Sequence, residues 1–104
     1  MIIQINTDKT INGDHKMREY FTSQIKTSLA RHASHISRIE IHVKDENGTK
    51  DGIGDVSCML EARINGRQPI VTTSQADTME LALAGSIGKV EAALASILGR
   101  IQSH

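Results

Sequence analysis

Cysteine, proline and aromatic residues are nearly missing from this chain of 104 residues, which has one Cys, one Pro, no Trp, and only Tyr20 and Phe21 as aromatics. Each shortage excludes something. A single Cys58 makes no internal disulfide, so it reads as a small buried hydrophobe in a reducing compartment. Two adjacent aromatics are too few for a platform on which single-stranded nucleic acid would stack. Twelve basic and twelve acidic residues give zero formal net charge, so nothing global advertises a polyanionic partner. No uninterrupted apolar run approaches the roughly 18 residues of a membrane span, and the apolar start Met1-Ile2-Ile3 is too short for a signal peptide. These absences predict one cytoplasmic domain, residues 1–104, that is monomeric and has no membrane partner.

Motifs for catalysis, cofactors and metals are also lacking. Residues 85–88 spell Gly-Ser-Ile-Gly, the GxxG that clamps a nucleic-acid backbone from a loop between helices, but here it falls inside a helical stripe. Close packing of the two helices explains it better. Gly88-Lys89-Val90 is not a phosphate loop, because Leu83 and Val90 stand where glycine and Ser or Thr are needed. Gly52-Ile53-Gly54 precedes a strand, so it is a turn and not a dinucleotide fingerprint. His32 and His35 could meet a metal, yet a structural site needs four ligands, and a solvated helix end is the simpler reading. No Ser, Cys or Lys lies in a nucleophile motif. The expectation is a protein with no catalytic residues, no metal, no cofactor and no small-molecule substrate.

Hydropathy patterning gives the architecture. Ile3 and Ile5 outline a first strand, and Met17, Phe21, Ile25, Leu29 and His32 recur at helical spacing behind a cap at Asp14. Ile39, Ile41 and Val43 alternate with Arg38, Glu40, His42 and Lys44, and Cys58, Leu60, Ala62 and Ile64 alternate with Met59, Glu61 and Arg63, two strands with one face in the core. Asn65-Gly66 signals a hairpin. A two-residue turn would bury Val71, whereas a longer loop turns Ile70 and Thr72 inward and leaves Pro69 on an edge strand. Asp77 is then an N-cap, with Glu80 completing a capping box. The last helix buries Leu83, Ser86 or Ile87, Val90, Leu94, Ile97, Leu98 and Ile101.

The order β-α-β-β-β-α, with the first two strands parallel through a right-handed crossover, makes an α+β two-layer sandwich. Its four-stranded sheet carries both helices on one face, because the other face carries Arg38, Glu40, His42, Glu61 and Arg63.

That order, the segment Met17-Arg18-Glu19-Tyr20, and the strand at Ile70 leading into residues 77–83 (Asp-Thr-Met-Glu-Leu-Ala-Leu), with Gly85 and Lys89 beyond, together resemble the short ribosome hibernation-promoting factor and ribosome-associated inhibitor A family. The resemblance covers nearly the whole chain and implies the longer hairpin loop, with Ile70 and Thr72 inward. It implies a fold related to double-stranded-RNA-binding domains and a protein that binds ribosomal RNA in the decoding region of the small ribosomal subunit. Such a protein silences translation under stress or in stationary phase. Lys and Arg side chains would bond phosphate oxygens of RNA recognised by shape. Lys89, Arg100 and Arg18 match basic positions of the family's helices, Lys16, Lys26 and Arg31 extend that set, and Arg38, Arg63 and Arg67 are further candidates on the sheet and hairpin.

Charge is locally segregated. Lys16, Arg18, Lys26 and Arg31 outnumber Asp14 and Glu19, whereas Asp45, Glu46, Asp51 and Asp55 face only Lys50. The last helix departs from the family: Ala92, Ser96 and Leu98 stand at positions that are usually basic, and from Asp77 onward two basic residues meet three acidic ones. Fewer phosphate contacts follow, and with them a shallower salt dependence. The alternative reading is a protein-interaction module of the same fold with weak RNA binding. Convergence or scatter of the basic residues separates the two.

Overall fold

The structure, a computed structural model, describes residues 1–7, 15–45 and 56–102, with side chains as far as residue 99. Strand β1 (Ile2–Thr7) is followed by helix α1 (His15–Ser28), a 3-10 helix (Ala30–His35), strands β2 (Ile36–Asp45), β3 (Val56–Ile64) and β4 (Ile70–Ala76), and helix α2 (Met79–Gln102). The sheet order is β1-β2-β3-β4. β1 and β2 are parallel and the other two pairs antiparallel, as one crossover followed by two reversals of the chain requires. The expected Asp14 cap and the turn at Gly52 and Gly54 lie outside the described residues.

The period-two pattern of β2 and β3 sends Ile39, Ile41 and Val43, with Val56, Cys58, Leu60, Ala62 and Ile64, into the core. Met17, Phe21, Ile25 and Leu29 from α1 and Ala82, Leu83, Ile87, Val90, Leu94 and Leu98 from α2 meet them there. An irregularity between Ile36 and Arg38 lets Ile36 and Ile39 both face inward, which strict alternation would forbid. Met79–Gly99 is long and apolar enough to cross a membrane by length and mean hydropathy, 1.5. The sequence shows no such run because Glu80, Lys89 and Glu91 interrupt it; in the fold, its buried stripe lies on the sheet.

The hairpin follows the longer-loop register. Leu60 pairs with Thr72 and Ala62 with Ile70, so Val71 is 56% exposed. Gly66 has φ +72°, Asn65 does not share a positive φ, and the Arg67 N–H donates to the Ile64 carbonyl at 3.1 Å. That is the pattern of a type II turn, which does not match the twist of a two-residue hairpin. Residues 65–69 therefore form a wider loop.

Two expectations need correction at α2. The N-cap is Thr78, not Asp77: its hydroxyl accepts from the Leu81 N–H at 3.2 Å, and its carbonyl accepts the first helical bond, from the Ala82 N–H at 3.0 Å. With the cap one residue later, the third helical position is Leu81 and not Glu80, so no capping box forms. Gly85 serves the sheet and not the other helix, because a Cβ there would fall on the Ser74 hydroxyl and 2.9 Å from its Cβ. Ser86 completes that contact, its hydroxyl donating to the Cys58 carbonyl at 2.7 Å while the Thr72 hydroxyl donates to the Ser86 carbonyl at 3.0 Å.

Candidate nucleic-acid interface

The basic residues of the helices divide between two surfaces: Arg18 and Lys26, with His15, line one cleft of about 510 Å³ along α1, and Lys89 lies on α2. Arg18 leans from α1 to the edge strand β1, where its Nη1 donates to the Ile5 carbonyl at 3.0 Å. Lys89 leans from α2 in the opposite direction, and its Nζ donates to the Thr73 carbonyl of the other edge strand, β4, at 2.5 Å. Three strand spacings separate β1 from β4, about 14 Å. Each cation covers a carbonyl on an edge that would otherwise offer itself to another strand. Lys16 and Lys26 are exposed on α1. Arg100 lies in the last turns of α2, and its side chain is outside the described residues.

Between the helices runs a groove of about 260 Å³ whose polar lining is Tyr20, Gln24, Glu80 and Glu91, with Gly88 on its wall. Two carboxylates and no Lys or Arg line it, so it repels phosphate.

Positive charge collects instead at the end of the molecule where β2 begins and β3 ends. Arg38 and Arg63 are directly opposite across those strands on the solvent face, a like-charge pairing that costs stability unless relieved. Relief comes from Glu40, 3.2 Å from Arg38, and from Glu61, 3.8 Å from Arg63, with the Gln4 side chain also accepting from Arg38. The hairpin that carries exposed Arg67 is fastened to the 3-10 helix: the Asn65 N–H donates to the His35 carbonyl at 2.9 Å and its side-chain amide to the Ser34 carbonyl at 3.2 Å. On the other side of the 3-10 helix, Arg31, His32 and His35 line a cleft of about 330 Å³ against Ala95, Leu98 and Gly99 of α2. His32 and His35 thus belong to a pinned turn and not to a frayed helix end. Sequence reasoning missed their company, because the hairpin of Arg67 and the 3-10 helix of Arg31 meet only through the fold.

A signal for this end was present in the sequence. Residues 20–39, 62–76 and 92–104 contain no Asp or Glu, and they hold five of the six arginines and one of the six lysines, Lys26. The other end carries Asp45, Asp77 and Glu80. Zero net charge conceals a molecule polarised from end to end.

Among the described residues, no group of three or more His, Cys, Asp or Glu side chains could hold a metal ion. Cys58 is buried beneath α2; burial pushes its thiol up to about 11, against a smaller opposing effect of its hydrogen bond with Ser86. A thiol so shifted is a poor nucleophile.

No family model matches the sequence, and no curated protein matches it. Solved structures do match. A ribosomal subunit interface protein from Coxiella burnetii superposes with a TM-score of 0.71 at 18% identity, over 95% of this chain and 99% of that one. The Thermus thermophilus Protein Y N-terminal domain gives a TM-score of 0.75 at 8% identity, over 93% and 99%. The chain has the hibernation-factor fold.

Proposed function

We propose that this chain is a ribosome-associated protein that binds ribosomal RNA in the decoding region of the small subunit and silences translation under stress or in stationary phase. It acts in the cytoplasm, as a monomer, by occupancy and not by catalysis. The observation that supports this reading most is the superposition of 95% of the chain on a ribosomal subunit interface protein. A chain with this fold and two aromatics would recognise folded RNA by its backbone shape, through cations placed on rigid elements. Co-sedimentation with purified small subunits across a salt series tests it: the chain should travel with subunits at low salt, leave them as salt rises, and depress translation in a cell-free reaction. Recovery in free fractions even at low salt would contradict it.

The carboxylates in the inter-helix groove favour a second reading, a protein-interaction module. That reading requires association with a ribosomal protein that survives nuclease treatment and changes little with salt.

A further inference from the structure

We propose that the RNA contact of this chain is its carboxylate-poor, arginine-rich end, built from the 3-10 helix, the β3–β4 hairpin and the facing ends of β2 and β3, and not the helical surface that the hibernation-factor resemblance implies. The ligand is the phosphate backbone of paired RNA. The inference rests on the ribosomal reading for which RNA is met in the cell, but not for the chemistry of the contact.

Residue type is the first support. Arginine presents a planar fork of donors that matches phosphate in two-point contact, whereas lysine is a hydrated point charge. Here the two are largely sorted, with five of the six arginines but only Lys26 of the six lysines in the acid-free runs 20–39, 62–76 and 92–104. Sorting of this kind is unnecessary for solubility, which either cation supplies.

Rigidity and exposure are the second. Arg31, Arg63 and Arg67 are exposed on elements tied together by the Asn65 bonds to Ser34 and His35 and by the Ser37 hydroxyl, which donates to the Arg63 carbonyl at 3.3 Å. Cations held on a pinned frame lose little freedom when they meet an equally regular array of phosphates.

The competing surfaces are the third. Arg18 and Lys89 are engaged with strand carbonyls at opposite edges, and the groove between the helices is acidic. With no Phe, Tyr or Trp at this end, a single strand finds only the imidazoles of His32 and His35 to stack on. A duplex backbone needs only charge and shape.

The test compares Arg63→Glu/Arg67→Glu with Lys16→Glu/Lys44→Glu, two exposed pairs that change net charge equally. Arg63→Glu gives up the 3.8 Å pairing with Glu61 but turns the like-charge pair with Arg38 into an attractive one, and a denaturation midpoint close to the parent's checks that the fold is kept. Each protein is titrated against a 20-base-pair RNA duplex and against purified small subunits, over a salt series. The arginine pair should bind both probes at least about tenfold more weakly, with a salt slope shallower by about two, while the lysine pair stays within about threefold of the parent. Equal losses in the two pairs would show that net charge, and not this end, governs binding, and would overturn the inference. So would parental binding by the arginine pair, which leaves the ribosomal reading standing if subunits are still bound. Arginine-dependent binding of the duplex without binding of small subunits would uphold the inference and remove the ribosomal reading. Binding of neither probe by the parent would overturn both.

Discussion

The edges of the sheet and its arginine-rich end use positive charge in opposite ways. At the edges, Arg18 and Lys89 reach back from the helices and spend a donor on a strand carbonyl, so the charge serves the fold. At the end, Arg31 and Arg67 stand outward on segments fastened to one another through backbone and amide groups, and Arg63 beside them keeps only a 3.8 Å pairing with Glu61, so the fold serves the charge. Charge alone therefore does not identify a binding residue. What the charge already touches does.

Both regions depend on the same core, which sets the largest expected effect. Leu83 is 1% exposed beneath α2, and Leu83→Ala should cost about 2 to 5 kcal/mol. The denaturation midpoint should fall far enough to weaken edge and end together. Next comes the seat of α2 on β4. Gly85→Ala pushes a methyl group into Ser74 and should cost about 1 to 3 kcal/mol, and Ser74→Gly in the same chain should restore part of it. A Gly85→Ala protein as stable as the parent would show that the helix is not seated this closely, and the Lys89 contact with Thr73 would fall with it.

The comparison itself is tested by charge reversal. Arg18→Glu or Lys89→Glu replaces a donor to a carbonyl with a carboxylate that repels it, and each should lower stability by about 1 to 2 kcal/mol. Association through the uncovered strand should also become measurable by sedimentation at high protein concentration. Thr78→Ala should cost about 1 kcal/mol, and Asp77→Ala less. Arg67→Glu, on the exposed loop, should stay within about 0.5 kcal/mol. If reversal at Arg67 destabilised the chain as much as reversal at Lys89, the distinction between edge and end would not hold.

These differences also mark where sequence was legible. Strands and helices were readable because Ile39, Ile41 and Val43 repeat every second residue and Met17, Phe21 and Ile25 every fourth, and burial simply follows those periods. The hairpin register was readable from the choice between Val71 and its neighbours. The cap at α2 slipped by one residue because Asp77 and Thr78 are both capable caps, and only the backbone path decides between them. Arg18 and Lys89 are read as phosphate contacts through the family resemblance, while their bonds to main-chain carbonyls leave no trace in side-chain spacing. The arginine-rich end was out of reach of any local motif, since Arg31, Arg38, Arg63 and Arg67 come together only when β2 and β3 pair and the hairpin closes on the 3-10 helix. Composition held the hint in its carboxylate-free stretches.

Amide hydrogen exchange of the chain, free and bound to small subunits, tests the central claim most directly, because it reports which backbone segments the ribosome covers without altering a residue. Slowed exchange on binding should concentrate in the 3-10 helix Ala30–His35 and in residues 63–68 of the hairpin, with α1 and the exposed side of α2 little changed. Protection confined to α1 and α2, with the hairpin exchanging as in the free chain, would contradict the account and return the interface to the helices.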